Sequence, residues 1–353
     1  MKLGAGQVQI ICTLGPSSYE PDVIRRLTDR RVDLLRINLS HTDVEDIEAR
    51  INHVRTYTDV PLCLDTEGAQ VRCGPVEAGL VVETGSTIEL VAEVVTGNAE
   101  RITLRPPEVF EGLSEGSRVA IDFHGVVLRI TEVGDGRAQA EVERGGALGS
   151  NKGAVVDPAV PLLPLSEKDL AALSIGRRLG ISHYALSFAS SAEAVRQTRE
   201  LIPAHAHIIA KIESIVGVQH MDEIIEASDA VLIDRGDLSR EVRLEQIPYF
   251  QKAIVRRANR WHTPLYVATN LLESMVIYNR PTIAEMNDIA NTLLDGAHGL
   301  VLAAETAIGV DPVGAVDMVK QAIAVFEQED FGRRIDVTPL AVHEAAVAVL
   351  LED

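Results

Sequence analysis

Aromatic residues make up only 4% of the 353 residues, so aliphatic side chains have to build the interior. Cysteine is scarce as well. Cys12, Cys63 and Cys73 share no metal-ligand spacing and lie in apolar or strand-like stretches, which argues against a thiolate metal site and suits inert thiols in a reducing cytoplasm. Positive charge is short: 33 Lys and Arg face 52 Asp and Glu, a net charge of -19, and a nucleic-acid binder needs a basic surface to displace counterions. An anionic substrate therefore requires a locally basic pocket. No apolar run is long enough to span a bilayer, and MKLGAGQVQIICTLG has one lysine and no signal-peptide core, so a cytoplasmic protein without a membrane partner is expected.

What the chain does have is alternation. Short apolar, β-branched runs at 8–12, 32–38, 61–65, 182–187, 207–212, 230–234, 264–269 and 299–303 are separated by amphipathic stretches, the pattern of βα units. Eight such units, with no early glycine-rich phosphate turn, predict an α/β fold of the TIM (β/α)8 barrel type. A hydroxyl followed three residues later by a carboxylate marks expected helix starts at Thr42 with Glu45, Ser166 with Asp169, Ser190 with Glu193, and Thr282 with Glu285. From 69 to 161 the helical period gives way to strand-like alternation and glycines. This predicts a small β domain inserted after strand three, between barrel segments 1–68 and 162–330, and placed to act as a lid. Residues 331–353 read as a C-terminal helical stub, with one helix at 337–351.

Reactive side chains of such a barrel belong at the C-terminal strand ends. Polar groups recur there: Arg36, Asn38 and Ser40; Asp65 and Thr66; Lys211 and Glu213; Arg235 and Asp237; Thr269 and Asn270; Glu305 and Thr306. Spacing of two puts Arg36, Asn38 and Ser40 on one face, and Lys211 with Glu213 on another. A lysine beside Glu213 and Asp237 suits a hard divalent cation and an ammonium that together neutralise a phosphoryl group or an enolate; a structural ion-pair network is the alternative.

The chain resembles pyruvate kinases through about residue 327, in an ordered series of motifs: ICTLGP (11–16), RINLSH (36–41), LDTEG (64–68), GSNKG (149–153), LSEKD (165–169), KIES (211–214), RGDL (235–238), VATNLLESM (267–275), RPTIAE (280–285) and AAETAIG (303–309). The resemblance implies Mg2+ or Mn2+ held by Glu213 and Asp237, and K+ held by Asn38, Ser40, Asp65 and Thr66. It implies that Lys211 stabilises the transferring phosphoryl group and that Arg36 binds the phosphate. Thr269, with the backbone of Gly236 and Asp237, would hold the substrate carboxylate, and Pro16, His41, Arg72 and Lys152 would line the nucleotide. The implied reaction moves phosphate from phosphoenolpyruvate to ADP and leaves an enolate that is protonated to pyruvate.

Departures from the family pattern cluster around this site. Glu67 stands for a lysine, Ala69 for a proline, Gln70 for an acidic residue tied to the potassium requirement, and Asp234 for an alanine. Ser239, Asn270, Ala303, Ala304, Ile308 and the run Asp122-Phe123-His124 also differ. Asp234 either faces a helix or subunit interface or enters the site. A working kinase without the family's regulatory C-terminal domain is the first reading. Metal-dependent enolate chemistry on another 2-oxo acid, a decarboxylase or lyase, is the second, and a non-catalytic relative the third. With that domain reduced, a homodimer is expected.

Overall fold

The computed structural model describes residues 7–68, 70–122 and 125–328. The helix expected at 337–351 lies outside them. Eight strands form the main sheet: β1 (Gln9–Leu14), β2 (Leu34–Asn38), β3 (Leu62–Asp65), β4 (His183–Leu186), β5 (His207–Ile212), β6 (Ala230–Asp234), β7 (Leu265–Ala268) and β8 (Gly299–Leu302). Neighbours pair in parallel, and β8 returns to β1 to close the barrel. Each strand overlaps its expected run, because strands buried on both faces are near-continuous apolar segments.

Successive residues of each strand serve two different cores. Outward positions such as Ile10, Cys12, Leu35, Ile37, Ile208 and Ala210 pack against buried helix residues including Ile24, Leu27, Ile47 and Ile51. Inward positions form a smaller apolar cluster of Ile11, Leu34, Cys63, Ala185, Ile209, Ala230, Leu232, Tyr266, Ala268 and Val301. The Tyr266 hydroxyl donates to Gln9 Oε1 at 2.7 Å, so its polar atom is satisfied inside the barrel. Cys12, Cys63 and Cys73 are free and buried. Burial, before any other cause, pushes all three thiols up and makes them inert.

Two of the four expected helix starts need correction. Ser166 and Thr282 form full capping boxes with Asp169 and Glu285. Thr42 does not cap its helix: Val44–Arg55 starts after Asp43, and the Thr42 hydroxyl donates to the Asn38 carbonyl at 3.0 Å. At the third, Ser191 rather than Ser190 caps, accepting from the Ala194 amide at 3.2 Å. Asp169 also reaches the end of the segment after β3, where its oxygens accept from the Glu67 and Gly68 amides at 2.7 and 3.0 Å. Gly68 turns there at φ +77, and a Cβ would lie 2.7 Å from Ser187 Cβ.

A second compact unit spans Ala69–Pro164. Val160 and Leu162, near its C-terminal end, pack on this unit's own core. Seven of its strands close into a barrel in the order Arg137–Arg144, Thr87–Val91, Arg101–Arg105, Val71–Cys73, Gly153–Asp157, Arg118–Ile121 and Val126–Gly134. Thr87–Val91 and Arg101–Arg105 run parallel, and the other pairs are antiparallel. No helix of the described residues is long and apolar enough to cross a membrane.

Candidate active site

Two residues beyond an inward apolar side chain, a strand presents the same face again. Beyond Ile11, Leu34, Cys63, Ala185, Ile209 and Leu232, those positions are Thr13, Arg36, Asp65, Ser187, Lys211 and Asp234. All six are buried. The C-terminal mouth of the barrel is therefore closed by a polar layer on top of an apolar one, where barrel enzymes carry their chemistry.

Lys211 is the hub of this layer. Its Nζ donates to Ser187 Oγ at 3.0 Å and lies 3.1 Å from Glu213, 3.5 Å from Asp65 and 4.0 Å from Asp234. Burial alone would drive the ammonium towards neutrality, but Asp65, Glu213 and Asp234 outweigh it and hold it above the ordinary lysine range. Arg36 donates from Nε to Thr13 Oγ1 at 2.9 Å, and its buried Nη1 lies 3.2 Å from Asp65 Oδ2 as an ion pair without a hydrogen bond. Glu213 accepts from the Phe188 amide at 2.8 Å, and its Oε2 makes no hydrogen bond. Burial first, then Asp237, Asp234 and Asp65, push the Glu213 carboxyl up against the pull of Lys211.

The backbone is bent to serve these contacts. Phe188 sits at φ +50, which aims its amide at Glu213. Thr269, a β-branched residue, sits at φ +73, a region such residues rarely enter. Arg235 holds it there: Nε and Nη2 donate to the Thr269 carbonyl at 3.0 and 2.7 Å, and Nη1 reaches Asp288 at 2.7 Å. Asp234 enters the site and does not turn to an outer interface. Its Oδ1 accepts from the Thr269 hydroxyl at 2.6 Å, the Gly236 amide at 3.1 Å and the Asp237 amide at 3.4 Å. Although burial raises its pKa, Lys211, the Thr269 hydroxyl and Arg36 prevail and keep the carboxyl below its ordinary value.

Glu213, Asp234 and Asp237 each offer a carboxylate oxygen, and these atoms lie within 4.8 Å of one another. With a buried Glu213 oxygen lacking a hydrogen bond and carboxylates in excess over the buried cations, the set fits a hard divalent cation. Asn38 and Asp65 face each other across β2 and β3, and Asn38 Oδ1 accepts from the Ser40 amide at 2.9 Å. Thr66 Oγ1 accepts from the Ser187 amide at 2.9 Å. Pro16 and His41 are exposed on segments after β1 and β2. Arg72 and Lys152 belong to the second unit, where Arg72 donates to the Asn151 carbonyl and Lys152 pairs with Asp122, both at 3.2 Å. The motif reading did not single out Thr13, Ser187 or the Phe188 amide; the signal that finds the two hydroxyls is their two-residue phase with the inward apolar positions.

Ser187 joins three groups, since its hydroxyl also donates to the Thr66 carbonyl at 2.7 Å. Ser187→Ala is expected to lower unfolding free energy by about 1–3 kcal/mol by leaving buried polar partners unmet. Urea denaturation checks this.

Fold and site define a (β/α)8-barrel protein with a charged constellation at its C-terminal strand ends. Residues 5–316 match the family model described as the pyruvate kinase barrel domain. Curated relatives include a pyruvate kinase of Methylorubrum extorquens, 35% identical over 330 residues, covering 92% of this chain and 69% of that one. A pyruvate kinase of Geobacillus stearothermophilus is 35% identical over 335 residues, covering 91% of this chain and 57% of that one. Among solved structures, a pyruvate kinase from Cryptosporidium parvum superimposes with a TM-score of 0.82 at 30% identity, covering 92% of this chain and 70% of the other. The chain belongs to the pyruvate kinase family.

Proposed function

We propose that this protein is a metal-dependent phosphotransferase that moves a phosphoryl group from phosphoenolpyruvate to ADP and yields pyruvate and ATP. The observation that carries the reading is the buried Lys211 ammonium, fixed among Asp65, Glu213 and Asp234 at the barrel mouth. The enol P–O bond breaks, a bond forms between phosphorus and the terminal ADP oxygen, and the enolate takes a proton at its methylene carbon. Lys211 would face the phosphoryl oxygens, and Arg36 Nη1, paired with Asp65 at 3.2 Å but without a hydrogen bond, could donate to them. Thr269 brings a hydroxyl beside the reacting carbon. Positioning and fixed charge supply most of such catalysis. Mg2+ or Mn2+, held by Glu213 and Asp237, would neutralise phosphoryl and enolate charge, and Asn38, Ser40, Asp65 and Thr66 form an oxygen set for K+. Pro16, His41, Arg72 and Lys152 would line the nucleotide. We place the protein in the cytoplasm as a homodimer.

A coupled assay with phosphoenolpyruvate, ADP and Mg2+ is expected to show pyruvate, with a rate that rises with K+. No pyruvate from folded protein at any K+ concentration would remove the reading. A second reading rests on Ile308, an exposed aliphatic residue at a position where a lysine would favour nucleotide, and on Glu67, whose carboxylate lies 3.7 Å from Lys168. It is metal-dependent decarboxylation or cleavage of another 2-oxo acid without nucleotide. Oxaloacetate turnover in the absence of ADP, abolished by Glu213→Ala, would select it; turnover only with nucleotide would exclude it.

A further inference from the structure

The Gly236 and Asp237 amides and the Thr269 hydroxyl each own one hydrogen, and all three are directed at a single oxygen of Asp234. A donor set of this kind binds a carboxylate. Here it is saturated from within the chain. The pocket offers no slack at this point, because a Cβ on Gly236 would lie 2.8 Å from Thr269 Cγ2. Thr269 cannot readily turn away either, since Arg235 holds its carbonyl through two hydrogen bonds. Around this filled position the buried Arg36 Nη1 and Glu213 Oε2 stand in ion pairs, with Asp65 at 3.2 Å and Lys211 at 3.1 Å, but make no hydrogen bond, so each keeps capacity for a ligand. The site is therefore prepared for a ligand, but its carboxylate position is taken.

We propose that Asp234 is a built-in competitor for the substrate carboxylate, and that it sets how strongly the site takes a 2-oxo acid or an enol phosphate. This rests on the reading of the site as one for a carboxylate-bearing substrate. A ligand carboxylate and Asp234 cannot share the same three hydrogens, and two carboxylates side by side repel. An incoming ligand must displace the side chain, and its apparent affinity falls by the fraction of molecules in which the position is open. Asp234 thus acts as a specificity-determining residue: a ligand that presents no carboxylate there escapes the penalty.

The test is calorimetric titration of the whole chain with oxalate, a planar dianion with a carboxylate beside further anionic oxygens, in the presence of Mn2+. Asp234→Ala is expected to bind oxalate about tenfold or more tightly than the native protein. The KM for phosphoenolpyruvate should fall by a similar factor, with a smaller change in kcat. Asp234→Asn keeps an oxygen that can accept from the same donors but loses the charge, so it should lie between the two; it also serves if the alanine variant does not fold. A merely structural cap would give weaker binding when removed, not tighter. Oxalate affinity that is unchanged or lowered in folded variants that still bind Mn2+ overturns the inference. If electron paramagnetic resonance shows no Mn2+ bound to the native protein, the metal reading fails and the inference falls with it; Mn2+ held by the native protein but lost from both variants would make Asp234 a ligand of the cation and overturn the inference alone.

Discussion

Lys211→Met is expected to reduce turnover by roughly 100- to 1,000-fold, the loss typical when a fixed charge stabiliser is removed from a reacting centre. It should also destabilise the metal-free protein by about 3–5 kcal/mol, because removing one partner of a buried ion pair strands the others. Methionine fills most of the lysine stem, so the volume of the layer is nearly kept. What disappears is the ammonium facing Asp65, Glu213 and Asp234, which leaves Arg36 as the cation of the ring. Added Mg2+ should restore part of the lost stability by supplying positive charge to the same carboxylates. Urea unfolding with and without Mg2+, beside steady-state kinetics, checks both halves. A variant as stable as the native protein in EDTA would show that the carboxylates do not depend on Lys211.

Glu213→Gln addresses the same ring from its acidic side, and its stability effect should be small. Burial already disfavours the ionised carboxyl, and glutamine keeps an oxygen that can accept from the Phe188 amide. Unfolding free energy is expected to change by no more than about 1 kcal/mol. Function should respond differently: Mn2+ affinity and turnover are each expected to fall by roughly 10- to 100-fold, on the scale known for disturbed metal sites. Calorimetric titration with Mn2+ measures the first. Native Mn2+ affinity in the glutamine variant would show that the cation is held elsewhere.

The barrel was legible because strands buried on both faces give uninterrupted apolar runs, and the spacing of those runs counts the βα units. β1 extends to Leu14, beyond its expected end, because Thr13 and Leu14 continue the pairing with Arg36 and Ile37. The second unit was visible as alternation, but its closure into a seven-stranded barrel was not, since antiparallel pairing order leaves no local signature in the chain. In the site, charged groups stood out by type, whereas Ser187 and Phe188 lay where an expected strand ends, in the uncharged run LSFASS. Phe188 contributes through its backbone, and no side-chain pattern reports that. Asp234 was readable in principle. It stands two residues past Leu232, just as Lys211 stands two past Ile209, and an aspartate before Arg-Gly-Asp is well placed to accept from the amides that follow.

Asp169 gives the site's frame one further property. A single side chain closes the cap of the helix Glu167–Arg178 and also holds the Glu67 and Gly68 amides, so it rivets the two cut ends of the main barrel on either side of the long excursion. The seam is sealed by the barrel's own residues. The stretch between is thereby an excursion whose two points of departure and return are tied to each other by the main barrel itself.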